Sequence, residues 1–440
     1  MNPPAHILVY TEAPSARVDY VFRYILKQRL GCSLTMTHCW EDYAGFTGPG
    51  ICYTAKDKGC GLWLPASDWM FSDRLESLDL SLKATSMGLL PFAHGENEAA
   101  LPFDVIGAAF FFLSRYEEYL PFTPDTLSRF PAAASMQYQM NALERPLVDE
   151  WIAKLGILIQ DRFPGLPLRR EAYRFQPTYD IDVAYAFLGR PVWRSSGALF
   201  REIGRGRFAL ARHRVSVTRG KAQDPFDHFD LFARWHESLK LEPVYFFLLG
   251  RPGPRDRNLN PSHPRLRKLI RRLAASHTIG IHPSFASNDI PGRMEEEKQV
   301  LESILGKTVS HSRQHYLRLH LPETYRQLIR AGITHDYTMG FPDHPGFRAG
   351  TSCPFPFFDL SAQAETPLTI HPLAVMDGSL RDYLHLNPEE ALARMMEILE
   401  RVKKNGGVMT TLWHNTSLSP ETGWQGWKEM YEQFLHLAAE

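Results

Sequence analysis

Cysteine is scarce in this chain. Cys32, Cys39, Cys52, Cys60 and Cys353 form an odd set with no Cys-x-x-Cys spacing, which argues against a disulfide framework or a thiolate zinc site and for thiols in a reducing compartment. Net charge is absent as well. Lys and Arg number 49, as do Asp and Glu, so nothing global points to a nucleic-acid partner. No apolar run approaches the ~18 residues needed to span a bilayer. The start, Met1 to His6, has neither a charged segment nor a long apolar one, so no secretory signal is expected. Repeats and low-complexity tracts are missing. These absences lead us to expect a cytoplasmic protein.

What is present reads as globular: 44% hydrophobic and 22% charged residues over 440 positions, a length that favours two or three domains. Residues 1–170 are expected to form a small α/β domain. His6 to Tyr10 reads as a strand, Val18 to Leu30 as an amphipathic helix, Gly61 to Leu64 as a strand and Asp104 to Leu113 as a buried helix. The last runs into a polar and aromatic cluster, Ser114 to Tyr119. From about Arg174 strands and helices alternate, which predicts parallel βαβ units over residues 171–440. Predicted helices cover Phe226–Leu239, Leu266–Ala275 and Met294–Leu305. Strands are expected at Pro243–Gly250 and Thr278–His282. Asn387 and Pro388 open a final helix that Gly406 closes, and Val408–Trp413 follows as a strand.

Reactive groups in parallel α/β barrels gather at the carboxyl ends of strands. Three polar clusters occupy such ends here. In Thr178-Tyr179-Asp180-Ile181-Asp182 two carboxylates two residues apart point the same way on an extended chain. One can hold a metal while the other acts as a base, although alone the pattern is more often a solvated strand end. His282 ends the run Ile279-Gly280-Ile281, and His414 ends Leu412-Trp413. Between them lies Ser312-Arg313-Gln314-His315-Tyr316. Arg313 could hold a carboxylate, and His315 is a ligand, a substrate contact or a loop residue with equal weight. Gly346 to Thr351, with Arg348, reads as a basic loop near the rim. His311, His320, His335, His344, His371 and His385 are expected in loops or on the surface.

The order of these motifs resembles the polysaccharide deacetylase family, the family-four carbohydrate esterases. Thr178 to Asp182 is similar to its Thr-Phe-Asp-Asp motif, His277 to Pro283 to its Gly-His-Glu-Ile-Gly-Asn-His-Thr segment, Ser312 to Tyr316 to Phe-Arg-Pro-Pro-Tyr, and Leu412 to His414 to Leu-x-His. The resemblance implies a distorted (β/α)7 barrel and a divalent metal, usually zinc. By carry-over Asp180 is the general base, Asp182 and His282 bind metal, Arg313 orients the base and His414 is the general acid. The family's His-x-x-x-His is broken, because Ala286 stands four residues after His282. His315 is the candidate replacement. Tyr179, Tyr316, Arg348 and Trp413, with Trp424, are candidate substrate contacts. The expected activity is removal of an acetyl group from a glycan or sugar precursor. The alternatives are a non-catalytic glycan-binding scaffold and a hydrolase of a small non-sugar C–N bond.

Residues 190–221 stand apart, with nine basic residues and a single acid, Glu202. The reading divides between a solvated helical face and a peripheral contact with an anionic membrane surface.

Overall fold

The computed structural model describes residues 6–59, 61–94 and 99–440. The expectations for residues 1–5 and for Cys60 lie outside them. Four strands, β1 (His6–Thr11), β2 (Ser33–Thr37), β3 (Gly50–Thr54) and β4 (Leu62–Pro65), form a parallel sheet in the order β2-β1-β3-β4. The first helix starts at Ala16, where Ser15 accepts from the Val18 N–H, and continues past Phe22 as wider turns over Arg23–Arg29. Asp104 caps the helix Val105–Leu113, and all nine helical residues are buried. A small hairpin pairs β5 (Lys83–Thr85) with β6 (Gly88–Leu90).

The second sheet is built from β7 (Tyr173–Ile181), β8 (Val244–Leu248), β9 (Thr278–His282), β10 (His311–Ser312), β11 (His335–Asp336), β12 (Phe355–Asp359), β13 (Ala364–Ile370), β14 (Val375–Met376) and β15 (Gly407–His414). Its order is β12-β13-β11-β10-β9-β8-β7-β15-β14. Every neighbouring pair is parallel except β12 with β13. The expected seven-stranded barrel is not shown among the described residues. The sheet has nine strands, and among the described residues no ladder joins its ends, β12 and β14. Helices Phe229–Leu239, Pro264–Leu273, Arg293–Leu305 and Pro388–Asn405 alternate with strands as the sequence predicts. Asn387 and Glu390 complete a reciprocal cap at the start of the last of these.

The boundary expected at residue 170 lies between the helix Leu147–Arg162 and β7, and the apolar core runs across it. Phe358 of β12 packs on Tyr20 and Phe110, each at 5.1 Å between ring centroids. The Ser114–Tyr119 cluster fastens the same seam. Glu118 accepts from Arg348 Nε at 2.8 Å and Nη2 at 2.5 Å and from Arg115 Nε at 2.7 Å, all three side chains being buried. Desolvation pushes the Glu118 carboxyl up, but the two guanidinium groups outweigh it and hold it below its usual value.

Cys32, Cys39, Cys52 and Cys353 form no disulfide. No helix among the described residues is long and apolar enough to cross a membrane. Of the six histidines expected in loops or on the surface, His320, His344 and His385 lie outside helices and strands, whereas the other three pack together. His311 stacks on His335 at 4.5 Å, His335 Nδ1 lies 3.0 Å from His371 Nε2, and His371 stacks on Tyr337 at 4.2 Å. They form one packed row because β10, β11 and β13 are neighbours in the sheet.

Candidate functional site

Strand parity decides which side chains reach the site. Along β7 and β15, Thr178 is the register partner of Leu412 and Asp180 that of His414. Alternate residues of a strand share a face, so Thr178, Asp180, Leu412 and His414 lie on one side, and Asp182 follows just beyond β7. Tyr179 and Trp413, the intervening partners, face the helices instead. Tyr179 is buried, its hydroxyl 2.8 Å from His236 Nε2 and its ring 4.2 Å from Phe232. Trp413 stacks on Tyr431 at 4.1 Å. Neither can touch a substrate. Trp424 is also buried, edge-on to Trp427. Arg348 is no rim residue, because its guanidinium is wholly buried against Glu118. These four expected substrate contacts are therefore corrected. Tyr316 does line the site cavity of about 390 Å³, together with Asp180, Asp182, His282, His315 and His414.

Asp182, His282 and His315 bring one ligand atom each to within 4.8 Å of one another. His282 ends β9, and His315 follows β10, the adjacent strand. His315 thus reaches the cluster from a neighbouring loop, while Ala286 lies in the short turn Phe285–Asn288. Residues Tyr316 and Leu317 take positive φ values of 62° and 52°, so the chain after His315 bends through the left-handed region.

The hydrogen bonds around the imidazoles fix their proton positions. His282 Nδ1 is 2.6 Å from the Arg313 carbonyl oxygen. A carbonyl only accepts, so Nδ1 carries the proton and Nε2 turns inward. That Nε2 is 3.3 Å from Asp182 Oδ1 and 3.5 Å from Asp180 Oδ2. Both His282 Nε2 and Asp182 Oδ1 are buried without a hydrogen-bond partner. Two acceptors facing each other repel unless a cation stands between them, so the donor set fits a divalent metal. His315 repeats the pattern: Nδ1 is 2.8 Å from Asp256 Oδ1, and Nε2 is 3.4 Å from Asp182 Oδ2. Histidine ligands are commonly oriented by such outer partners. Desolvation pushes His315 down, but the carboxylates of Asp182 and Asp256 outweigh it and raise it to about 9. Desolvation likewise opposes ionisation of Asp182, yet His315, His282 and His414 hold its carboxyl well below the usual range.

Two further groups flank the cluster. Asp180 accepts from Arg313 Nη1 at 2.9 Å, while Arg313 Nη2 donates to Thr178 Oγ1 at 2.7 Å and Nε to the Tyr337 carbonyl at 3.0 Å. Arg313 is completely buried, so the carboxylate is held in one orientation. On β15, His414 Nδ1 is 2.8 Å from Asp377 Oδ1, and its Nε2 is 3.7 Å from Asp182 Oδ2. Desolvation lowers His414, and Asp377, Asp182 and Asp180 together raise it to about 10. At neutral pH it is a cation able to give up a proton.

Sequence reasoning missed Asp256, Asp377 and Arg129. Asp377 follows β14 directly, and the run Val375-Met376-Asp377-Gly378 carries the same apolar-to-polar signal as the other strand ends. Asp256 and Arg129 carry no such signal. Arg129 reaches the cavity from the first half of the chain, donating to the Tyr316 carbonyl at 2.9 Å while Asp125 grips its Nε at 2.7 Å.

A model for a family of unknown function, DUF7033, matches residues 7–164. No curated protein matches the chain. Among solved structures, a polysaccharide deacetylase candidate from Mycobacterium smegmatis is similar at a TM-score of 0.40 and 15% identity, over 62% of this chain and 85% of that one. A polysaccharide deacetylase from Bacillus cereus is similar at a TM-score of 0.27 and 11% identity, over 60% of this chain and 86% of that one. At these TM-scores neither likeness lends the site support of its own, and the chain's chemistry has to be read from Asp180, Asp182, His282, His315 and His414.

Proposed function

We propose that the chain is a metal-dependent hydrolase that removes an N-acetyl or O-acetyl group from a glycan or sugar precursor. One observation carries this reading. A carboxylate gripped by a buried arginine, Asp180, and a cationic histidine held by a buried aspartate, His414, are register partners beside a His-His-Asp cradle with two unpaired acceptors. A scaffold has no use for a base and an acid in that relation.

Asp182, His282 and His315 would hold the metal, and the imidazoles favour zinc over ions that prefer oxygen ligands. A bound divalent metal lowers the pKa of water toward ~7 and polarises a carbonyl oxygen. Asp180 takes the proton of the attacking water, its free oxygen directed into the cradle while Arg313 occupies the other. The backbone N–H of Tyr316, a residue that lines the cavity, would donate to the developing oxyanion. His414 gives its Nε2 proton to the departing amine or alkoxide as the carbonyl carbon–heteroatom bond breaks, leaving acetate and the free sugar group. Asp377 keeps the Nδ1 proton in place, so the transferable proton stays on Nε2.

The test is acetate release from N-acetylated chitooligosaccharides by zinc-loaded protein, beside Asp180→Asn. Acetate formed only by the parent protein is the expected result. A fully metal-loaded protein that releases none from N- or O-acetylated glycans overturns the reading.

A further inference from the structure

The insert between Asp182 and Asp224 folds as two helices, Val192–Gly204 and Phe208–Thr218. Its base is closed by Asp224, which is buried and accepts from the backbone N–H groups of Ala186 at 2.7 Å, Phe187 at 2.8 Å and Leu188 at 3.0 Å. The insert leaves the sheet at the carboxyl end of β7, the end that carries Asp180 and Asp182.

Two properties coincide on it. Trp193, Phe200, Ile203 and Phe208 are 70, 73, 44 and 60% exposed, a concentration of large apolar side chains found nowhere else on so short a segment of the described chain. Arg201, Arg205, Arg207, Arg212, Arg219 and Lys221 are exposed around them, and none of these six pairs with a carboxylate among the described residues. The one acid, Glu202, is already taken by a bidentate contact from Arg214. Between the helices runs a cleft of about 590 Å³, lined by Leu199, Ile203 and Val215 together with Arg212, Arg219 and Lys221. Apolar side chains standing out of a cationic surface whose one acid is already paired match an interfacial helix, which sinks its apolar groups to the acyl boundary while its bases meet anionic headgroups. A nucleic-acid surface would not need protruding Phe and Ile. A protein surface would not need charge of almost one sign over the whole segment, where nine bases stand against one acid.

We infer that the helical pair 192–218 docks the chain on an anionic lipid bilayer, with the mouth of the site on the same end of the sheet as the docking surface. The inference is independent of the hydrolytic reading, because lipid binding is measured without turnover.

The experiment is co-sedimentation of the full chain with phosphatidylcholine vesicles and with vesicles containing phosphatidylglycerol, at low and high salt. Binding confined to the anionic vesicles and weakened by salt is expected. Each basic residue near such a surface strengthens partitioning roughly fivefold, so Arg205→Gln/Arg207→Gln/Arg212→Gln should bind roughly a hundredfold more weakly. Phe200→Ser/Phe208→Ser should also weaken binding, and circular dichroism of both variants should match the parent. Equal binding to both vesicle types, binding to neither, or unchanged binding by the triple variant overturns the inference. So does retention of the chain by duplex DNA as tight as by anionic vesicles.

Discussion

His414 and Asp377 are joined twice: the imidazole Nδ1 meets Oδ1 at 2.8 Å, and the His414 backbone N–H donates to Oδ2 at 2.8 Å. The ring and the chain carrying it are therefore fixed by one fully buried carboxylate, which both sets the tautomer and stabilises the cation. Asp377→Asn keeps the shape but removes the charge. Hydrolysis should fall by roughly 10²- to 10⁴-fold, the usual worth of a general acid, while bound metal measured by elemental analysis stays at the parent level. Undiminished turnover would remove His414 from the acid role.

The two carboxylates of the Asp-x-Asp pair should separate by experiment. Asp180 is held by Arg313, whereas Asp182 lies against His282, His315 and His414. Asp180→Asn should retain metal and lose roughly 10²- to 10⁴-fold in acetate release. Asp182→Asn, His282→Ala and His315→Ala should each lose metal. Full occupancy in His315→Ala alone would keep the site and remove that histidine from it. Loss of metal in Asp180→Asn with turnover retained would exchange the two roles.

Asp180, Asp182, His282 and His414 were legible because each stands where an apolar strand gives way to polar residues, and such ends converge in a parallel sheet. His315 was reached only through the family resemblance, as the replacement for a missing histidine. The same strands also held the information that excludes Tyr179 and Trp413. Each sits one position from a site residue, and a strand sends successive side chains to opposite faces. What the sequence could not supply was the meeting of distant loops. Asp256 finds His315 across 59 positions, and Arg348 finds Glu118 across 230. Such pairs depend on how the chain crosses itself, and no local pattern records that. The closure of a barrel is equally non-local, since it turns on the pairing of the sheet's two end strands.

Arg348 and Glu118 give the seam between the two halves a measurable strength. Both are buried, and without Arg348 the single cation Arg115 is left to serve both Glu117 and Glu118, each 2.7 Å from it. One buried carboxylate then lacks its countercharge, which typically costs about 3–5 kcal/mol. Arg348→Met should lower the urea midpoint accordingly while leaving KM unchanged in the folded protein, because Arg348 does not line the cavity. A raised KM without loss of stability would return Arg348 to the substrate-contact role expected from its loop.

The packed histidines make the fold sensitive to acid. Desolvation lowers His236 to about 3, His311 to about 4 and His371 to about 3, and neighbouring histidines push each the same way. An unfolded histidine titrates near ~6.5. Below that pH the unfolded chain takes up protons that the folded chain refuses, so the stability these groups contribute is complete above about 6.5 and is lost as pH falls toward 3–4. The loss is roughly 1.4 kcal/mol per pH unit for each group. His371→Gln keeps a polar partner for His335 and removes one of the three titrations. Urea unfolding at several pH values between about 7 and 5 should therefore show a shallower decline for this variant, by up to roughly 1.4 kcal/mol per unit once the unfolded histidine is protonated. Because carboxylates elsewhere add the same pH dependence to both proteins, the difference between the two slopes isolates His371. Identical slopes would mean that His371 takes up its proton in the folded chain as readily as in the unfolded one, and His371 would then contribute nothing to acid lability.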